Sequence, residues 1–151
     1  MKRFQAAVFL VLTLLLLGFI WGQSSLPQEA SAGESGRLMR FIKPLLDPKG
    51  LIDDDVFHHY LRKAAHFTEY AALGFCVGGL ADAFRWKRLA LRIPTSIVCC
   101  IAAASADECI QLFIPGRGPH VRDVLLDACG AVFGLAVFAL LVMLFRKRRK
   151  E

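Results

Sequence analysis

Residues 4–21, FQAAVFLVLTLLLLGFIW, run for eighteen positions without a charged side chain. A helix of about 20 mostly apolar residues is what the hydrocarbon core of a bilayer requires, and this run nearly fills that length. Three more apolar stretches follow, at 64–81, 93–113 and 124–145. Composition agrees: 56 % of the chain is hydrophobic, 21 % is charged, and the mean hydropathy is +0.48. These values exclude an ordinary soluble domain and predict an integral membrane protein. The expected fold is all-α, a polytopic four-transmembrane-helix bundle forming a single domain over residues 1–151. The first run follows Lys2 and Arg3, as a secretory signal peptide would. Its apolar length and the distance to the small residues Ala30-Ser31-Ala32 favour an uncleaved first helix.

Between the first two spans, residues 22–61 are polar and mixed. Leu38, Phe41, Ile42 and Leu45 recur at helical period with Arg37, Arg40 and Lys43 between them. This predicts a short amphipathic helix in the first extracytoplasmic loop, with Ser35 as its cap and Pro44 kinking or ending it. Two placements fit the pattern: on the membrane surface, or packed across the mouth of the bundle. Asp53-Asp54-Asp55 supplies an acidic helix start leading into the second span.

Charge beside the spans orients the bundle. Two basic residues precede the first span, four lie between the second and third, and five follow the fourth. In a four-span chain all of these fall on one side. The opposite loops are poorer: four Lys/Arg against six Asp/Glu in the first, and only Arg117 and Arg122 in the other. The positive-inside rule then places both termini in the cytoplasm, with the chain multi-pass in the inner (cytoplasmic) membrane. The net charge of +6 is explained by these flanks, so no nucleic-acid partner is implied.

The spans are not uniformly apolar. The stretch RKAAHFTEYAALG (62–74) carries Arg62, Lys63, His66, Glu69 and Tyr70 into the second span. DECIQ (107–111) closes the third, and RGPHVRDVLLDACG (117–130) opens the fourth. Ionisable groups are costly inside a membrane and mark functional sites by default. The topology brings all three clusters to the extracytoplasmic end. The candidate substrate contacts are Arg62, Lys63, Tyr70, Glu108, Gln111, Arg117 and Asp127, with the cations suited to an anion. His66 with Glu69 or Asp123 is the candidate acid–base set.

Three readings compete: a salt-bridge lattice that only clamps helices, a polar site for an anionic lipid headgroup or small substrate, and a site that adds chemistry. Under the last, a carboxylate pair could hold a divalent metal. No HExxH, CxxC or Walker pattern occurs, no nucleophilic serine or cysteine stands out, and neither metal nor cofactor is assigned. A transporter of this size would need a homo-oligomer, and no span has the full-length polar stripe of a pore. The five cysteines match no zinc or redox spacing and read as small thiols in helix interfaces.

The chain resembles the VanZ-like family of small bacterial membrane proteins. The likeness rests on Ser24-Ser25, on Lys63-x-x-His66-Phe67-x-x-Tyr70-x-x-Leu73-Gly74, and on Glu108-x-x-Gln111 with Phe113. Arg117, Asp123 and Gly130-x-x-x-Gly134 extend it. The resemblance implies a polytopic membrane protein with an envelope-associated role. The family's namesake is an accessory protein of glycopeptide-antibiotic resistance that lowers susceptibility to teicoplanin. It implies no particular reaction. It also implies Asp where this chain has Arg62 and Asn where it has Asp127, and a compensating Arg62–Asp127 pair would reconcile the two departures.

Overall fold

The structure is a computed structural model that describes residues 2–84, 89–118 and 120–148. Five helices follow one another: α1 (Lys2–Ser24), α2 (Gln28–Leu46), α3 (Asp54–Ala83), α4 (Leu89–Gln111) and α5 (Val121–Arg148). Among the described residues there is no strand. Of the connector and tail basic residues, Arg85, Lys87, Arg88, Arg149 and Lys150 lie outside the described part.

Among the described residues, three helices are long and apolar enough to cross a membrane: α1 from Arg3, α4 from Leu91, and α5. The protein is therefore a multi-pass membrane protein. The fourth expected span does not meet that standard, because α3 carries the charged cluster that opens the second apolar stretch. Its 30 residues give a rod of about 45 Å. Asp53 caps it, with Oδ1 accepting from the backbone N–H of Asp55 at 3.0 Å and of Val56 at 3.4 Å.

Burial explains how α3 is held. It packs on α5 over its length and touches α1, α4 and α2. Glycines make the α3–α5 approach close: a Cβ on Gly74 would meet the Ala131 carbonyl, one on Gly130 the Phe67 carbonyl, and one on Gly134 the Ala71 carbonyl. On the other side of α3, Gly79 accepts the ring of Phe9 from α1. The core cluster draws on four helices, with Ile20, Tyr70, Leu73, Cys100, Ala104 and Ala131 buried together. Trp21 Nε1 and the Tyr70 hydroxyl both donate to the Ala103 carbonyl, at 3.3 and 3.4 Å. The outer surface is apolar, with Val11, Leu14, Leu15, Phe133, Leu140 and Leu144 all exposed. That is the surface lipid requires and water would not tolerate.

Local structure differs from expectation in the extent of α2, the place of Ser35 and the burial of the cysteines. The amphipathic segment expected at 38–46 is the second half of a longer helix, α2, so Ser35 sits inside it rather than capping it. Pro44 is carried within α2, which ends two residues later. Pro94 lies inside α4, which begins five residues earlier at Leu89. Of the five cysteines only Cys76 and Cys100 are buried; Cys99, Cys109 and Cys129 face outward.

The two ends of the bundle differ. At one, Asp82 at the end of α3 accepts from Arg92 of α4 at 2.6 Å and from Arg146 of α5 at 3.0 and 3.2 Å. At the other, the start of α3, the end of α4 and the start of α5 converge on a polar cleft.

Candidate functional site

The helix periodicity of α3 points Arg62, Lys63 and His66 toward the mouth formed with α5. Gln111 reaches the same space from the last turn of α4. The turn after α4 contributes Gly116 and Arg117; Gly116 has φ 80°, a left-handed conformation that glycine adopts without strain. Together with Asp123 and Asp127 these residues line a cleft of about 290 Å³.

A second, smaller cleft of about 120 Å³ opens between α1, α2 and α3. Its walls include Phe19, Leu38, Leu61, Ala65 and Glu69. The two clefts share Arg62, His66 and Arg117.

Charges around the larger cleft are partly paired. Lys63 forms an ion pair with Asp123, both half-buried. Glu108 Oε2 accepts from the backbone N–H of His120 at 2.8 Å, tying the α4–α5 turn to α4. Gln111 Nε2 donates to Asp107 Oδ2 at 3.2 Å and to Glu108 Oε1 at 3.5 Å. Arg117 Nη1 donates to the Ser24 carbonyl at 3.2 Å, while its buried Nε has no partner among the described residues. Burial lowers the Arg117 pKa, and the neighbouring Arg62 guanidinium adds to that effect. Two guanidiniums held close in a partly dry cleft, one with a free donor, suit an anion.

A model of the VanZ/LLP1 family matches residues 9–145. The chain belongs to the VanZ/LLP1 family. No curated protein and no solved structure matches it. The match takes in α2, α3 and α4 of this VanZ/LLP1 chain whole, α1 from Phe9 and α5 as far as Phe145.

Most residues expected to form the site do converge. Arg62, Lys63, His66, Gln111, Arg117, Asp123 and Asp127 line the larger cleft, and Glu69 lines the smaller one beside His66. Glu108 stands behind the wall as a brace for the turn. Tyr70 does not join them: it is fully buried in the core with its hydroxyl on Ala103. The pairings also differ from those expected. Asp123 is held by Lys63, and the carboxylate beside His66 is Asp127, 3.7 Å from Nδ1. No hydrogen bond or ion pair links Arg62 to Asp127 among the described residues.

Asp107 belongs to the DECIQ cluster but was not among the candidate site residues. Asp107 is fully buried, and one atom from each of His66, Asp107 and Asp127 lies within 4.8 Å of the others. The signal was available in its i,i+4 relation to Gln111, which now proves to be a hydrogen bond.

Proposed function

We propose that this protein binds the phosphate-bearing headgroup of an anionic lipid or lipid-linked envelope precursor at the outer face of the inner membrane. The observation that carries this reading is the junction of the two clefts at Arg62, His66 and Arg117. The larger cleft presents Arg62, Lys63 and Arg117 beside the carboxylates Asp123 and Asp127, of which Asp123 is already neutralised by Lys63. The smaller one presents Phe19, Leu38 and Leu61, as the start of an acyl or prenyl chain needs. A phosphate at the junction meets the guanidiniums of Arg62 and Arg117, which line both clefts.

The topology behind this reading makes α3 the fourth span, with its polar flank covered by α5 and the cleft, and both termini cytoplasmic. The Asp82–Arg92–Arg146 cluster then lies at the cytoplasmic end, where the basic flanks gather. Within the same arrangement α2 lies along the outer membrane surface, with the exposed Phe41 and Leu45 in the lipid interface.

A second reading adds catalysis on the same headgroup, hydrolysis or transfer. It is favoured by the His66–Asp127 pair at the cleft, an imidazole beside a fully buried carboxylate.

Native mass spectrometry of the protein released from bilayers of phosphatidylglycerol and phosphatidylcholine tests the binding. Retention of phosphatidylglycerol is expected, falling about tenfold or more in R117Q and further in R62Q/R117Q. Equal retention of both lipids by the unaltered protein, or of phosphatidylglycerol by the double variant at full strength, would overturn it. Product formation in the same samples distinguishes turnover from stoichiometric binding.

A further inference from the structure

Beside the larger cleft, three helices each contribute one side chain to a point that headgroup recognition leaves unexplained. Asp107 of α4 and Asp127 of α5 are both 0 % exposed, and His66 of α3 is partly buried beside them. Both oxygens of Asp127, Oδ1 of Asp107 and Nδ1 of His66 are buried with no hydrogen-bond partner among the described residues. Carboxylates in such surroundings are strongly unfavourable unless they are paired or coordinate a cation. These atoms converge instead of pointing apart: one donor from each residue lies within 4.8 Å of the other two.

We propose that His66, Asp107 and Asp127 form a divalent transition-metal site that takes Zn²⁺ or Mn²⁺. The donor set decides the class. An imidazole nitrogen suits zinc and its neighbours, carboxylates suit manganese, and calcium and magnesium prefer all-oxygen shells. Two donors on a tetrahedral ion with bonds of about 2.1 Å lie about 3.4 Å apart. The His66 Nδ1 to Asp127 Oδ1 separation is 3.7 Å and all three donors lie within 4.8 Å of one another, so closing the site draws donors inward by up to about 1.4 Å. Charge also balances, because two carboxylates and a neutral imidazole cancel the two positive charges of the ion.

The surroundings match a metal shell. Gln111 Nε2 holds Asp107 by Oδ2 at 3.2 Å, which fixes that carboxylate and leaves Oδ1 for the ion. His66, Gln111 and Asp127 also line the larger cleft. An ion therefore has an entry path and an open position facing the headgroup site. The assignment stands on the three side chains alone and does not require that the cleft bind lipid.

The full-length protein, purified in detergent and stripped with EDTA, is titrated with Mn²⁺ and followed by electron paramagnetic resonance. One tightly bound Mn²⁺ per chain is expected, displaced by added Zn²⁺ and not by Mg²⁺. Q111L should weaken binding about 10- to 100-fold, D107N and D127N should weaken it beyond that range, and R117Q should leave it intact. Thermal melting keeps the variants readable: freed of a buried charge, D107N and D127N should melt no lower than the stripped unaltered protein. Spin-echo modulation from a directly bound imidazole nitrogen is expected in the unaltered protein and lost in H66Q. No stoichiometric Mn²⁺, binding undiminished in D107N/D127N, or a Mn²⁺ spectrum without bound nitrogen would each overturn the site. Loss of phosphatidylglycerol retention with Mn²⁺ binding intact would count against the headgroup reading and not against the metal.

Discussion

Arg62, Lys63 and His66 occupy one turn and a half of α3, yet each answers a different physical demand. Lys63 has a carboxylate partner in Asp123; Arg62 lines the cleft near another cation, Arg117; His66 turns to a buried carboxylate. The sequence could show that these residues share a helix face, but the choice of partner depends on where α5 stops against α3. Asp47 shows the same point outside the bundle. Its carboxylate accepts from the backbone N–H of Leu51 at 2.9 Å and of Ile52 at 2.8 Å, closing the turn between α2 and α3. The hydrogen bonds from Ile52 and then Leu51 hold its pKa below the ordinary 3.8. A carboxyl depressed on folding contributes stability that is whole above its unfolded pKa and is lost as pH falls through the lower folded value. The Leu51 and Ile52 amides should therefore lose hydrogen-exchange protection below about pH 4. In D47N they should be less protected at neutral pH and show no such acid transition. Unchanged acid sensitivity in D47N would assign the transition elsewhere.

At the level of helices, the apolar runs were legible because length and hydropathy are local properties. Their positions were found to within a few residues for α1, α4 and α5. α2 was half seen, since its first ten residues are polar and carry no apolar period. The register of α3 against α5 was not legible, because a spacing such as Gly130-x-x-x-Gly134 does not say which carbonyl each glycine meets. The contacts do. A methyl group at Gly134 or Gly74 would press on the backbone of the facing helix, which cannot rotate away as a side chain can. G134A and G74A should each destabilise by about 1–3 kcal/mol, seen as a lower Tm in detergent. Gly18 and Gly22 in α1 have no atom within 4 Å of such a methyl, so G18A and G22A should leave Tm unchanged or slightly raised. Equal effects at both pairs would place the close approach elsewhere.

For the molecule as a whole, the convergence of three charged clusters at one end was legible from hydropathy and connectivity, because antiparallel neighbours must alternate their ends. The burial of Asp107 behind that end was not, since it depends on side chains from three helices closing over one point. The proposed span α3 also has a history that its contacts impose. Its glycine seam fits α5, and α5 is translated after α3. Until α5 emerges from the ribosome, the seam has no helix to meet and His66 and Glu69 have no cover, so α3 gains little by entering lipid alone. Membrane integration of this segment is then a delayed step, coupled to synthesis of the C-terminal helix. Cys76, 7 % exposed in α3, reports on it: a water-soluble maleimide should label it in a chain cut after residue 118 and spare it in the full-length chain. Protection of Cys76 in the cut chain would show that α3 settles without α5. The glycines that let two helices touch thus set the order in which the protein can be made.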